Sequence, residues 1–185
     1  MTYELYTQDG QVIKQGDIQD KMSWCRRGET LEDEFLRVYG DRLKLKLNPA
    51  KKEKPTVPDF IYIPGNRIAD LKTVNTPFFS ARRYGVDPQY AVTFNKKDLE
   101  YYRRCYSDIL LYFSIDWIAT KLVIKGCKIY TVEPMVGVWG IRFCNIQKLC
   151  CPENLHEYKL RIGDKVNATH SYVLDLRRNE FGKVI

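Results

Sequence analysis

The sequence predicts an α/β domain around a mixed sheet, and three observations predict it. A segment of helical periodicity is followed by three short runs of strand character, a second helical segment and an apolar strand, an order that layers helices on a sheet. The chain has 185 residues with no internal repeat, low-complexity tract or linker, so 1–185 reads as one domain long enough to bury a core. Apolar residues make up 44% of it and tyrosine occurs 13 times, which excludes a disordered composition.

The elements follow in order. Tyr3-Glu4-Leu5-Tyr6 and Val12-Ile13-Lys14 flank Asp9-Gly10, so 3–15 reads as a hairpin whose turn takes positive φ. From Gly28 to Gly40 a helix is expected, with Leu31, Phe35, Val38 and Arg42 at helical spacing and Thr30 able to cap its start. Leu43-Lys44-Leu45-Lys46-Leu47 alternates with period two and reads as a strand. Its lysines either guard a sheet edge or face a phosphate backbone. Asn48 to Thr56 is a polar loop. Val57 to Ile63 is a strand, Pro64-Gly65-Asn66 a turn, and Arg67 to Val74 a second strand. Residues 75–92 look irregular, and Asn95 can cap a helix running to about Cys105. Ile109 to Phe113 is an apolar, buried strand. Further strands are expected at 121–132 and 135–143, a short helix opening at Pro152, and a strand from Tyr172 to Leu176 closing the sheet.

Charge and cysteine usage bound the function. A net charge of +7 favours polyanionic partners such as nucleic acid, or is ordinary solubility charge. The six cysteines include no C-x-x-C pair, and only His156 and His170 could assist them, so a structural zinc site has little support. The start MTYELYTQDG carries no secretory signal, which predicts a cytoplasmic protein with reduced, buried thiols. No apolar run approaches membrane-spanning length.

The chemistry concentrates on the 57–74 hairpin. Asp70 and Lys72 are two residues apart on one strand and point to one face, and antiparallel pairing brings Asp59 beside Asp70. Two carboxylates and an ammonium converge. Hard oxygen ligands suit Mg²⁺, with Mn²⁺ able to substitute, bound through Asp59 and Asp70 plus substrate phosphate. Such a cation activates water and stabilises the leaving oxygen, while Lys72 orients or deprotonates that water or balances transition-state charge. The 28–40 helix offers Glu29, Glu32 and Glu34 as a third carboxylate. Glu32 falls inside the apolar arc of Leu31, Phe35, Val38 and Tyr39, where an acid is costly unless it serves a site, so Glu32 is the choice.

Pro58-Asp59, then Asp70-Leu71-Lys72 after a hairpin, preceded by a Glu-bearing helix, resembles the PD-(D/E)xK nuclease superfamily. The resemblance implies a restriction-endonuclease-like αβββαβ core over roughly Gly28 to Asp116, with an elaboration of extra strands over 117–185. It also implies Asp59 and Asp70 as metal ligands, Lys72 as the catalytic lysine, a helix glutamate as accessory ligand, and a DNA endonuclease of restriction, resolvase or mobile-element type. The Gln-x-x-x-Tyr pattern of the superfamily's exonuclease branch is not matched, since Gln89 is followed four residues later by Thr93.

Substrate contacts are expected from Lys44, Lys46, Lys51, Lys52, Arg82, Arg83, Arg103 and Arg104. Phe78 to Tyr84 interleaves aromatics with arginines, and Tyr101-Tyr102-Arg103-Arg104 lies on the helix after the site, either approaching DNA or burying one aromatic face. Lys51, Lys52 and Lys54 form a mobile basic loop next to Asp59. His156 and His170 read as structural. Cutting both strands of a duplex with one site per chain calls for a homo-oligomer of two-fold symmetry. The competing readings are a catalytically inactive nucleic-acid-binding module on the same fold and a protein-interaction domain.

Overall fold

The computed structural model describes residues 3–13, 21–124, 128–158 and 169–185, and it gives residues 21–30 as backbone only. It is a mixed α/β structure. Strand β1 (Tyr3–Tyr6) pairs with β2 (Val12–Ile13) across a turn in which Gly10 takes φ 83, as Asp9-Gly10 predicts. Lys14 lies outside the described residues.

Helix α1 (Lys21–Leu43) outruns the expected 28–40 at both ends, so Thr30 sits within it and not at its start. Phe35 and Leu43 are its buried residues, with Leu36 and Tyr39 packed beside them. Val38, expected in the apolar arc, is instead 50% exposed, so the packed stripe is narrower than the one read from spacing. The chain then reverses at Lys44, whose φ of 54 is left-handed. The expected strand over 43–47 is therefore split, and only β3 (Leu45–Leu47) is extended.

Residues 60–74 form the expected hairpin, but β4 (Phe60–Tyr62) is shorter than the strand read over 57–63 and leaves Asp59 just outside it; it pairs with β5 (Arg67–Val74), with Phe60 opposite Ala69. Its turn closes at Asn66, where φ is 46, a conformation asparagine tolerates better than most residues. The stretch 75–92 is not wholly irregular, because it ends in β6 (Ala91–Asn95), whose Val92 and Phe94 are buried. Asn95 caps α2 (Lys96–Cys105) by accepting the Lys97 N–H at 2.9 Å. Strand β7 (Leu110–Asp116) then runs parallel to β5, with Asp70 beside Leu111 and Lys72 beside Phe113.

Two strands, β8 (Lys121–Ile124) and β9 (Lys128–Thr131), occupy the expected strand region at 121–132 and join β1 and β2 in a four-stranded sheet. Strand β10 (Val136–Arg142) returns to the main sheet and leads into α3 (Phe143–Leu149), a helix that sequence reading missed. Pro152 opens a single 3-10 turn. Strand β11 (Leu155–Glu157) pairs with β12 (His170–Asp175), and β12 pairs with β6, so the 172–176 segment builds a second sheet and does not close the first. That closure falls to β13 (Gly182–Lys183). The main sheet has order β13-β10-β7-β5-β4-β3.

The sheet separates two cores. Phe35 and Leu43 of α1 pack with Leu45, Phe60, Ala69 and Tyr112. Leu99 and Tyr102 of α2 pack with Leu111, Phe113 and Ile115, together with Phe94 and Leu174 of the second sheet. Alternation along β5 therefore sends Ala69 and Leu71 towards α1 and leaves Asp70 and Lys72 on the α2 side. No helix among the described residues is long and apolar enough to cross a membrane.

Candidate active site

Asp59 stands immediately before β4, and the chain around it is fixed by Asn48. Asn48 is buried; its amide donates to the Pro58 carbonyl at 2.8 Å, and its backbone N–H donates to the Asp59 carbonyl at 2.9 Å. The same side chain accepts the Ala50 N–H and caps a 3-10 turn, Pro49–Lys52. The polar segment expected to be a mobile basic loop is thus ordered in part by one asparagine. Asp59 uses Oδ2 to accept the Leu71 N–H at 2.9 Å, which ties it across the hairpin to the residue between Asp70 and Lys72.

The other Asp59 oxygen is held by Lys51. The Lys51 ammonium donates both to Asp59 Oδ1 and to Glu32 Oε2, and the three side chains are only 14%, 11% and 17% exposed. Glu32 therefore faces this cluster, whereas Glu34 is 59% exposed and meets Arg37, and the Glu29 side chain lies outside the described residues. Lys51, expected as a surface contact to phosphate, is instead engaged between two carboxylates. Desolvation by burial would lower its pKa, but its bonds to Asp59 and Glu32 outweigh that and hold it above its ordinary value.

Asp70 is buried on β5; its Oδ2 accepts the Tyr102 hydroxyl at 2.7 Å and forms an ion pair with the Lys72 ammonium at 2.9 Å. Lys72 donates in addition to Asp98 Oδ2 at 2.7 Å and to the Tyr102 oxygen at 3.0 Å. Two of the ammonium's protons go to Asp98 and Tyr102, while Asp70 pairs with its charge. Burial would lower Lys72, but the charge of Asp70, with Tyr102 and Asp98, prevails and holds it well above its usual range. Burial, with Asp70 and Asp98 against the opposing lysine, also raises the Tyr102 hydroxyl, so it stays protonated and donates.

Sequence reading missed Asp98 and Tyr102 as site residues. Their signal was present: they are four residues apart on α2, flanking the apolar Leu99, which puts both on the face that meets the sheet. Of the neighbouring residues Tyr101 is half-buried, while Arg103 and Arg104 are exposed, so the helix does bury one aromatic face.

The carboxylates affect one another. Asp59 is pushed up to about 7, first by burial, then by the charge of Asp70, with Glu32 adding; Lys51 and the Leu71 N–H pull the other way. An acid raised by burial and by a neighbouring carboxylate is the arrangement a divalent cation relieves. Among the described residues, no group of three or more His, Cys, Asp or Glu side chains is arranged to hold a metal ion. The acids are turned instead to lysines. The donor set of Asp59, Asp70 and Glu32 consists wholly of hard carboxylate oxygens, which fits Mg²⁺ bound through one or two carboxylates and water, and does not fit zinc.

The remaining expected residues lie elsewhere. Lys44, Lys46, Lys52, Arg82, Arg83, Arg103 and Arg104 are exposed, as phosphate contacts must be. Phe79 is buried in a core shared with Leu5. His156 accepts or donates at Nδ1 with the Tyr84 hydroxyl at 2.7 Å and packs edge-on against Phe78 and Tyr158, a structural role. Among the described residues the thiols are not buried as expected: Cys105 and Cys144 are exposed, Cys150 and Cys151 half-buried, and all four are free, while Cys127 and the Cys25 side chain lie outside the described residues. No protein-family model, curated protein or solved structure matches the chain, so its function is read from the chemistry of these side chains.

Proposed function

We propose that the chain is a Mg²⁺-dependent DNA endonuclease whose site is Asp59, Asp70 and Lys72, with Glu32 as accessory acid. One observation carries the reading: Asp59, one residue beyond the Phe60–Ala69 pair, accepts the Leu71 N–H at 2.9 Å, between Asp70 and the Lys72 that pairs with it. The order of helix α1, strands β3 to β5, helix α2 and a parallel strand β7 supports it, since with β6 paired into another sheet the main-sheet elements follow the αβββαβ arrangement such nucleases use.

Asp59 and Asp70 would hold the cation, and Glu32 would complete its shell. When bound, Mg²⁺ supplies Lewis-acid charge to the scissile phosphate and a more acidic water. Lys72 carries the next role. Its ammonium stays protonated near neutral pH, so it acts as a fixed positive charge that orients the attacking water and balances charge developing on phosphorus. Asp98 and Tyr102 position it. Tyr102 both donates to Asp70 and accepts from Lys72, which sets the spacing of acid and ammonium. The exposed cations Lys44, Lys46, Lys52, Arg82, Arg83, Arg103 and Arg104 are available to track the backbone, and two copies related by a two-fold axis would cut both strands.

The test is incubation with supercoiled, linear and branched DNA in Mg²⁺, Mn²⁺ or EDTA. Metal-dependent nicking that Asp59→Ala removes is the expected result. DNA binding without cleavage in either metal would leave an inactive binding module, a reading favoured by the engagement of both acids with lysines. Binding itself should weaken with salt at a slope of roughly −0.9 per phosphate neutralised, read by fluorescence anisotropy.

A further inference from the structure

Lys51 has no part in the mechanism above, yet it is the cation most tightly enclosed by the accessory acid and the first aspartate. Its ammonium bonds Glu32 and Asp59 together, from a four-residue 3-10 turn whose start is pinned by Asn48. Glu32 and Asp59 are two of the three acids assigned to the cation. A carboxylate oxygen that accepts from an ammonium at hydrogen-bond distance cannot also coordinate a metal along the same direction, so the two cations exclude one another. The turn also carries Lys52, which is exposed, and is followed by Lys54, also exposed. An ammonium released from Glu32 and Asp59 therefore joins an existing basic edge.

We propose that Lys51 is a resident counter-cation that competes with the divalent metal for Glu32 and Asp59, so that metal entry releases Lys51 to the phosphate backbone and couples metal binding to DNA binding. The inference rests on the metal site proposed above. It makes the two ligands cooperative: each favours the state in which Lys51 has left the acids, and by linkage each raises the affinity for the other by the same factor.

The experiment titrates the full chain with Mn²⁺, read by electron paramagnetic resonance of the free ion. It is done with and without a short phosphorothioate duplex that resists cleavage. Lys51→Met keeps the aliphatic stem and removes the charge. It should bind Mn²⁺ about tenfold more tightly than wild type without DNA, and the duplex should no longer sharpen Mn²⁺ binding. Lys51→Arg restores the competing charge and should titrate like wild type. Asn48→Ala loosens the turn without touching an acid and should shift Mn²⁺ affinity in the same direction by a smaller factor, which keeps the test open if Lys51→Met does not fold. Equal or weaker Mn²⁺ affinity in both Lys51→Met and Asn48→Ala, with wild-type binding abolished by Asp59→Ala, overturns the competition and leaves the metal site standing. No Mn²⁺ bound by any variant overturns both.

Discussion

The two lysines of the site face similar acids from dissimilar scaffolds. Lys72 projects from β5, flanked by β4 and β7, and its partners Asp98 and Tyr102 come from a helix packed on that sheet. Lys51 projects from a 3-10 turn, and its partners come from α1 and the residue before β4. Both ammoniums are raised and ion-paired, so charge alone does not distinguish them. Scaffold does. A side chain on paired strands, held by two hydrogen bonds and an ion pair, should keep its place; one on a short turn should leave when a better cation arrives.

The largest effect that could break this contrast is on turnover. Lys72→Ala and Lys72→Arg should each lower single-turnover plasmid cleavage by roughly 10²–10³-fold, because arginine's planar head cannot meet acceptors arranged around an ammonium. At saturating Mg²⁺, Lys51→Ala should stay within about tenfold of wild type. Equal losses for both lysines would erase the distinction.

The next effect is on pH, and it belongs to the Lys51 cluster. Asp59 titrates near 7 when folded and near 3.8 when free, so between these values the folded chain holds the extra proton. Stability in EDTA should therefore be full below about pH 4 and fall as pH rises through about 7. The loss is at most on the order of 4 kcal/mol at about 1.4 kcal/mol per unit. Urea melts across that range should show the fall in wild type and lose it in Asp59→Asn.

Tyr102→Phe sharpens the other side. It removes the hydroxyl that donates to Asp70 and accepts from Lys72, and should cost about 1–3 kcal/mol in a denaturant melt. Asn48→Ala, which uncaps the Lys51 turn and orphans the Pro58 carbonyl, should cost about 1–2 kcal/mol by the same measurement.

How far sequence reached follows the same division. The placing of Asp59 against the strand of Asp70 and Lys72 was legible because strand period and one Pro-Gly-Asn turn fix the register locally. Glu32 was legible as an acid within an apolar arc, although the arc was drawn too wide at Val38. Asp98 and Tyr102 were missed although their spacing marks one face of α2, because what that face meets is decided by the parallel pairing of β5 with β7. Lys51 was misread because its place depends on a side-chain bond from Asn48 to Pro58, and loop composition carries no trace of it. Strand β6 was missed despite its alternating Val92 and Phe94, since Gly85 and Pro88 just before it signal a loop.

The parallel pairing has a consequence in time. Ala69 lies beside Leu110, with β6 and α2 in the intervening chain. Closing so long a connection costs entropy before any contact offsets it, which places this pairing, and the docking of Tyr102 over Asp70, late in folding. Contacts made after the rate-limiting barrier slow escape from the native state and leave the approach to it unchanged. Divalent metal should accordingly lower the unfolding arm of a chevron and barely move the refolding arm. The proposed metal site would then guard the lifetime of the fold that builds it.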